Sequence, residues 1–294
     1  MKRSRVLVVG DVVDDLLVRP LGEVAYGSDT PAEIRHRPGG SAANVAAWLG
    51  TLGVAVTFVG RAGHNSAADQ VAALDRHGVD ARIAVDPHRS TASIVLLVDG
   101  AGQRTMYVDR GANTELVPRD VPDDVWRDVG VLHLTGYTFF DPATRPVALE
   151  LITAARKRHV AVSVDPSSAA YVRQAGARDF RDWVSGVDLL LPNEEEAQLL
   201  ADRTDAGEAA GVLADDCKSV VVTLGGAGAL VHTSDGGAFQ RQAVAAEVLD
   251  TTGAGDGFAA GWIAAWVAGA PLADRMAAGL EVSARAVTIL GGRP

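Results

Sequence analysis

The chain lacks the residues that mark several large classes of protein. Its 294 residues hold one cysteine, Cys217. That excludes an internal disulfide framework and a cysteine-based zinc site, and it fits a reducing cytoplasm. No run approaches the length of a membrane span. The basic start, Met1 to Arg5, leads into a short apolar stretch, Val6 to Gly10, cut off by Asp11 and too short for a signal peptide. Clustered lysine and arginine are missing, and with a formal net charge of -10 and a pI near 5.1 a nucleic-acid partner is not expected. No internal repeat, low-complexity tract or linker divides the chain, so residues 1–294 read as one domain.

What is present is concentrated in Asp250-Thr251-Thr252-Gly253-Ala254-Gly255-Asp256-Gly257-Phe258. Phe258, Trp262 and Trp266 recur at four-residue spacing, which predicts a buried helix from about Gly255 towards Gly269. Its first turn is bare. Backbone N–H groups at a helix start lack intrahelical partners and carry the positive end of the dipole, so an anion can reach them there. Asp256 then stands beside that anion. The plainer alternative is a strand-to-helix turn with an aspartate cap, and a bare Gly-x-Gly alone favours it.

The rest of the chain alternates strands and helices. Val6 to Val9 reads as a buried strand that delivers Asp11, Asp14 and Asp15 to the sheet's carboxyl edge, where open α/β sheets bind ligands. For Asp11 and Asp14, turn capping is the better reading. Leu16 to Val24 and Glu33 to Arg37 look like a flap, and Thr91 to Val98 with Gln103 to Val108 like a β-hairpin turning at Asp99-Gly100-Ala101-Gly102. Together, about 12–37 and 89–110 form a candidate lid. Gly39-Gly40-Ser41-Ala42-Ala43-Asn44 places small residues before a second helix, and the amide of Asn44 suits a hydroxyl-bearing ligand. Pro192-Asn193-Glu194-Glu195-Glu196 opens another helix; an acidic first turn suits the dipole, and Asn193 with Glu196 is placed to hold hydrated Mg²⁺. Val220 to Val231 offers glycines between two strands, which fails the dinucleotide fingerprint and reads as a hairpin with Thr223 and Gly225 near a nucleotide. No Gly-x-x-x-x-Gly-Lys-Ser/Thr loop occurs.

Taken together, Gly39-Gly40-Ser41-Ala42-Ala43-Asn44, Asn193-x-x-Glu196, Thr223-x-Gly225 and Asp250-Thr-Thr-Gly-Ala-Gly-Asp256 resemble the signatures of the ribokinase-like (PfkB) carbohydrate kinases, in that family's order. The resemblance implies a three-layer α/β/α fold with a mostly parallel central sheet and a small β lid. It implies ATP-dependent phosphorylation of a hydroxymethyl group, with Mg²⁺. By match of motif, Asp256 is the catalytic base and Gly253, Ala254 and Gly255 form the anion hole. Asp15, Gly39, Gly40 and Asn44 hold the substrate's hydroxyls. Asn193, Thr223, Gly225 and Gly228 face the nucleotide, with Asn193 and Glu196 in the Mg²⁺ network. Asp250 and Thr252 match the positions for a monovalent cation, K⁺. Two departures stand out. Ribokinases proper share a sugar-binding glutamate where this chain has Thr135-Gly136-Tyr137, and the sequence reaches Pro294 where further cation ligands are expected.

The expected acceptor is a monosaccharide or sugar acid of the ribose, fructose or ketodeoxygluconate type. A nucleoside of the adenosine type is the alternative, with Tyr107 and Tyr137 as stacking candidates. A binding protein without catalysis is a third class, against which the full anion loop with Asp256 weighs. The strand edges of the lid suggest a homodimer.

Overall fold

The computed structural model describes residues 4–98 and 104–294. The expected hairpin turn Asp99 to Gly102, with Gln103, lies outside the described residues, as do Met1 to Arg3. In chain order the protein runs β1 (Arg5–Val9), β2 (Val13–Pro20), β3 (Ala32–Gly39), α1 (Ser41–Thr51), β4 (Val56–Gly63), α2 (Ala67–Asp75) and β5 (Asp80–Asp86). A hairpin of β6 (Ala92–Val98) and β7 (Arg104–Asp109) follows, then β8 (Val129–Thr135), α3 (Tyr137–Phe140), α4 (Arg145–Lys157) and β9 (Ala161–Asp165). Next come α5 (Ala169–Ala175), α6 (Ala177–Val184), β10 (Leu189–Leu190), α7 (Glu194–Ala201), α8 (Ala206–Ala214), β11 (Ser219–Thr223), β12 (Ala229–Thr233) and β13 (Ala238–Arg241). Two long helices follow, α9 (Ala254–Ala268) and α10 (Leu272–Ala286).

The central sheet has the order β13-β12-β11-β10-β9-β8-β1-β4-β5, parallel from β11 to β5 and antiparallel at β11-β12-β13. Helices cover both faces, as a mostly parallel sheet requires. The pleat sorts side chains between two cores: Val6 and Val8 join Trp48, Phe258, Trp262 and Leu280, while Leu7 and Val9 join Leu151, Val172, Phe180 and Leu213. The expected flap and hairpin merge into a second sheet of order β3-β2-β6-β7, with β2 parallel to β6. Its strand β2 starts only a few residues after β1 ends, so the two sheets meet at Asp11.

The helix between β8 and β9, α4, begins at Arg145, after the single turn α3. The stretch between β9 and β10 holds α5 and α6, and β10 shrinks to two paired residues. The last helix ends at Ala286, and Val287 to Pro294 turns back towards α1.

Small residues set how closely α9 and α10 approach. A Cβ on Gly257 would come within 3.0 Å of the Ala286 methyl, one on Gly261 would run into the Ala278 carbonyl, and the Phe258 ring lies against Gly279. The expected consequence is that Gly261→Val lowers stability by about 1–3 kcal/mol through overpacking, read as a lower urea midpoint with an unchanged m-value.

Candidate active site

The carboxyl ends of β1, β8, β9 and β10 lie side by side and deliver Asp11, Thr135, Asp165 and Asn193 to one edge, where α1 and α9 both begin. Gly40 precedes α1 with φ 98°, and a Cβ there would press on the backbone of Asp11 and Val12. The cap this glycine cannot provide comes from Asp11. Its carboxylate accepts the N–H groups of Ser41 (2.7 Å) and Ala42 (3.2 Å) and the Thr135 hydroxyl (2.9 Å). Asp14 likewise accepts from the Ser66 hydroxyl (2.6 Å) and the Gln70 amide (2.7 Å). Asp11 thus caps a helix start, whereas Asp14, within β2, binds two side chains at α2 and caps no turn.

Asp256, in the first turn of α9, is held by α1. Ser41 Oγ donates to Asp256 Oδ1 at 2.7 Å, and Asn44 Nδ2 donates to Oδ2 at 2.9 Å. Burial pushes this carboxyl up to about 7; the Asn44 and Ser41 donors oppose the rise and the Asp165 and Asp11 charges add to it. A helix dipole alone would hold the acid low, and burial acts in the opposite direction. Gly253 caps α9 in the left-handed region (φ 75°), and a Cβ on it would meet the Gly292 backbone. Gly255 is exposed, and a Cβ on it meets nothing within 4 Å. The bare side of the loop therefore faces open space.

That space is a cavity of about 370 Å³, within the usual range for small-molecule sites. Of the expected site residues, Asp15, Gly40, Asn44, Asn193, Glu196, Thr223, Asp250, Thr252, Gly253, Ala254, Gly255 and Asp256 line it. Gly39, Gly225 and Gly228 do not. Gly39 is needed because a Cβ would strike the Asp15 carboxylate; Gly228 (φ 99°) packs on the Arg241 carbonyl; Gly225 (φ 55°) lies in the exposed turn after β11. The second sheet presents Leu17, Ile94, Leu96, Met106 and Val108 to the cavity, with Asp15 among them. Tyr107, alternating with Met106 and Val108, is absent from the lining and exposed, so only Tyr137 of the two tyrosines reaches the site.

Several lining groups carried no sequence signal strong enough to single them out. Asp165 ends β9 as Asp11 follows β1, a strand-end acid readable by the same logic. Burial raises it foremost and the neighbouring Glu196 charge adds to that; burial also raises Glu196, whose Oε2 accepts the Asn193 N–H (2.9 Å) while Asn193 Oδ1 accepts the Glu196 N–H (2.9 Å). Two buried carboxylates that resist ionisation beside each other are a donor set that a hard divalent cation fits. Arg110, from the end of β7, donates to the Tyr137 carbonyl (2.8 Å) and stands 5.5 Å from the Tyr137 ring centre and 5.9 Å from that of Tyr171. Asp250 Oδ1 accepts the Thr252 N–H (2.9 Å) and hydroxyl (2.7 Å), and Oδ2 accepts the Gly291 N–H (3.0 Å). Burial lifts Asp15 to about 7, with the Arg293 cation opposing and Asp11 and Asp14 adding.

An acid whose pKa is higher folded than unfolded binds more protons in the native state between the two values, so stability falls as pH rises through that window. For Asp256 the window runs from 3.8 to about 7. Asp256→Asn, which keeps the shape without the charge, is expected to raise Tm by about 2 °C or more at pH ~8 and to leave it unchanged at pH ~4, checked by calorimetry.

The pfkB family carbohydrate kinase model matches residues 3–294. An ATP-dependent ribose-1-phosphate kinase from Halopiger xanaduensis is 34% identical over 270 residues, covering 90% of this chain and 85% of that protein. A cytidine kinase from Thermococcus kodakarensis is 28% identical over 279 residues, covering 94% and 93%. Among solved structures, the adenosine kinase from Sinorhizobium meliloti superposes with a TM-score of 0.89 at 25% identity, covering 99% of this chain and 96% of that one. With the α/β architecture and the helix-start site in place, the chain belongs to the pfkB family of carbohydrate kinases.

Proposed function

We propose that this kinase transfers the terminal phosphoryl group of ATP to a primary hydroxyl of a sugar, with Asp256 as the base. The observation that carries this is the pairing of an oriented carboxylate with a bare helix start on one cavity wall: Asp256, fixed by Ser41 and Asn44, beside Gly253 to Gly255. Each carboxylate oxygen spends one lone pair on α1 and keeps another for the acceptor's O–H. The free N–H groups of the α9 start stabilise charge on the transferring phosphoryl group. Phosphoryl transfer needs little covalent work from the protein, so this positioning is its main contribution. A carboxyl lifted by burial is also a stronger base than an exposed one at neutral pH.

The nucleotide side of this reading rests on Asn193, Glu196, Thr223 and Asp165. ATP supplies the phosphoryl group, and Mg²⁺ held near Glu196 and Asp165 would offset the charge of its phosphates and of the two carboxylates. We assign the turn of Asp250, Thr252 and Gly291 to joining Val287–Pro294 to the anion loop and route no step through K⁺, since three N–H and O–H donors already engage that carboxylate.

The acceptor's hydroxyls are gripped by Asp15, Asn44 and the backbone at Gly40, under a lid made by the second sheet. A nucleoside is the second reading, favoured by Tyr137 and the apolar lid face of Ile94, Leu96, Met106 and Val108, which would cover a base. The open edges at β3 and β7 and the exposed Ile34 and Tyr107 are the surface a homodimer through the lid would use. Among the described residues no helix is long and apolar enough to cross a membrane; a cytoplasmic setting agrees with the lone, buried Cys217.

ADP formation across a panel of sugars, sugar phosphates, sugar acids and nucleosides tests the reading; tight binding without ADP from any acceptor would sink it. Asp256→Asn is expected to lower turnover ~10² to 10⁴-fold and to remove the acid limb of kcat/KM, which the wild type should show near pH 7, from the Asp256 carboxyl at about 7. Gly255→Ala adds a methyl that meets no protein atom. It should leave Tm unchanged while lowering kcat/KM for ATP by about 10- to 100-fold.

A further inference from the structure

Arg293 is buried, at 8% exposure, where Val287–Pro294 passes beneath the acceptor side of the cavity. Its Nη2 donates to the Gly39 carbonyl (2.7 Å) and to Gln70 Oε1 (3.0 Å), and its Nε donates to Asn44 Oδ1 (3.3 Å). Gln70 in turn donates to the Val13 carbonyl (2.9 Å) and Asp14. The tail is seated by Trp48 Nε1, which donates to the Gly292 carbonyl at 3.0 Å, and Gly292 is required because a Cβ there would collide with the Asn44 amide. One nitrogen of Arg293, Nη1, is buried without a partner. A buried arginine with an unspent donor is a poor device for stability alone.

The two ends of an asparagine amide are alike in shape, and only their partners tell them apart. Arg293 has donors and no acceptor, so it can only face the oxygen. With Oδ1 held by Arg293, Nδ2 is turned towards Asp256. We propose that Arg293 is a positioning residue for the catalytic base: by holding the Asn44 oxygen it fixes the amide so that Asn44 donates to Asp256, and it thereby couples residues 290–294 to the chemistry. Without it the amide can rotate and set its oxygen against the Asp256 carboxylate, which repels. The inference rests on Asp256 being the base, and its test separates the two.

The experiment compares Arg293→Leu and Arg293→Gln with wild type by kcat–pH profile, KM for ATP, Tm, and carboxyl ¹³C NMR titration of Asp256, assigned with Asp256→Asn. Asp11 at the end of β1, Asp165 on β9 and Tyr137 on α3 also face Asp256 and are the same in every variant. In Arg293→Leu, kcat should fall about 10- to 100-fold with little change in KM for ATP, and the Asp256 midpoint should move to higher pH as its fixed donor is lost. Glutamine can donate from Nε2 to Asn44 Oδ1, so Arg293→Gln should restore both. An unmoved Asp256 midpoint in folded Arg293→Leu would overturn the proposal, as would a loss of kcat that follows Tm equally in both variants. In the wild type, the Asn44 Nδ2 ¹⁵N shift should follow the Asp256 titration, and failure to do so overturns the proposal without any variant. Absence of ADP with every acceptor would reject the base assignment instead, while the NMR arms still decide the Arg293–Asn44–Asp256 link.

Discussion

The structure depends on one constraint: several carboxylates share a partly dry sheet edge, and almost every hydrogen-bond donor nearby is arranged around them. Parallel strands make this unavoidable, because their carboxyl ends and the following helix starts converge on the same side. Asp11 closes the start of α1, Asp14 ties β2 to α2, and Asp250 ties Val287–Pro294 to the loop before α9. These acids are satisfied. Burial lifts Asp15, Asp165, Glu196 and Asp256. All four line the cavity, together with Asp11 and Asp250, and acids lifted by burial in a cleft mark a candidate site.

Holding Asp256 from a different helix solves a positioning problem. A carboxylate on the first turn of α9 could swing with its own helix end, but Ser41 and Asn44 reach it from α1, which is itself capped by Asp11. The close packing of α1 and α9, both rich in alanine and glycine where they meet, fixes the distance. Mutual support of this kind needs three separate chain segments, the loop after β1 and the two helices, to be correct at once. It explains why Gly40 and Gly253, where a Cβ would meet backbone, are as necessary as the polar residues.

Much of this was legible in the sequence, for a physical reason. Buried parallel strands read as short apolar runs, and glycines before helices mark the places where backbone must be bare; both signals are local. So β1, β4, β8, β9, β11 and the start of α9 stand out, as do Asp256 and Asn44. The elements that stayed hidden have weak local signals. α6, Ala-Arg-Asp-Phe-Arg-Asp-Trp-Val, is short and mostly polar, and β13 is an exposed edge strand. Arg293 was hidden for another reason: its meaning lies wholly in contacts across more than two hundred residues, to Gly39, Asn44 and Gln70.

The same division explains why phosphoryl transfer is easier to read than its acceptor. The anion loop works through backbone geometry, which glycines announce. The opposite wall of the cavity is built of side chains that alternate along β2, β6 and β7, where a change of residue alters the cavity without disturbing the strand pattern. Relatives that share the whole fold carry names as different as ribose-1-phosphate kinase and cytidine kinase. In this chain the cavity-facing positions give two acids, Asp15 and Asp109, and a broad apolar face, with Arg110 and Tyr137 at its margin. The cavity is therefore two-sided, with the polar groups of α1 and the α9 start on one wall and an apolar face from the second sheet on the other.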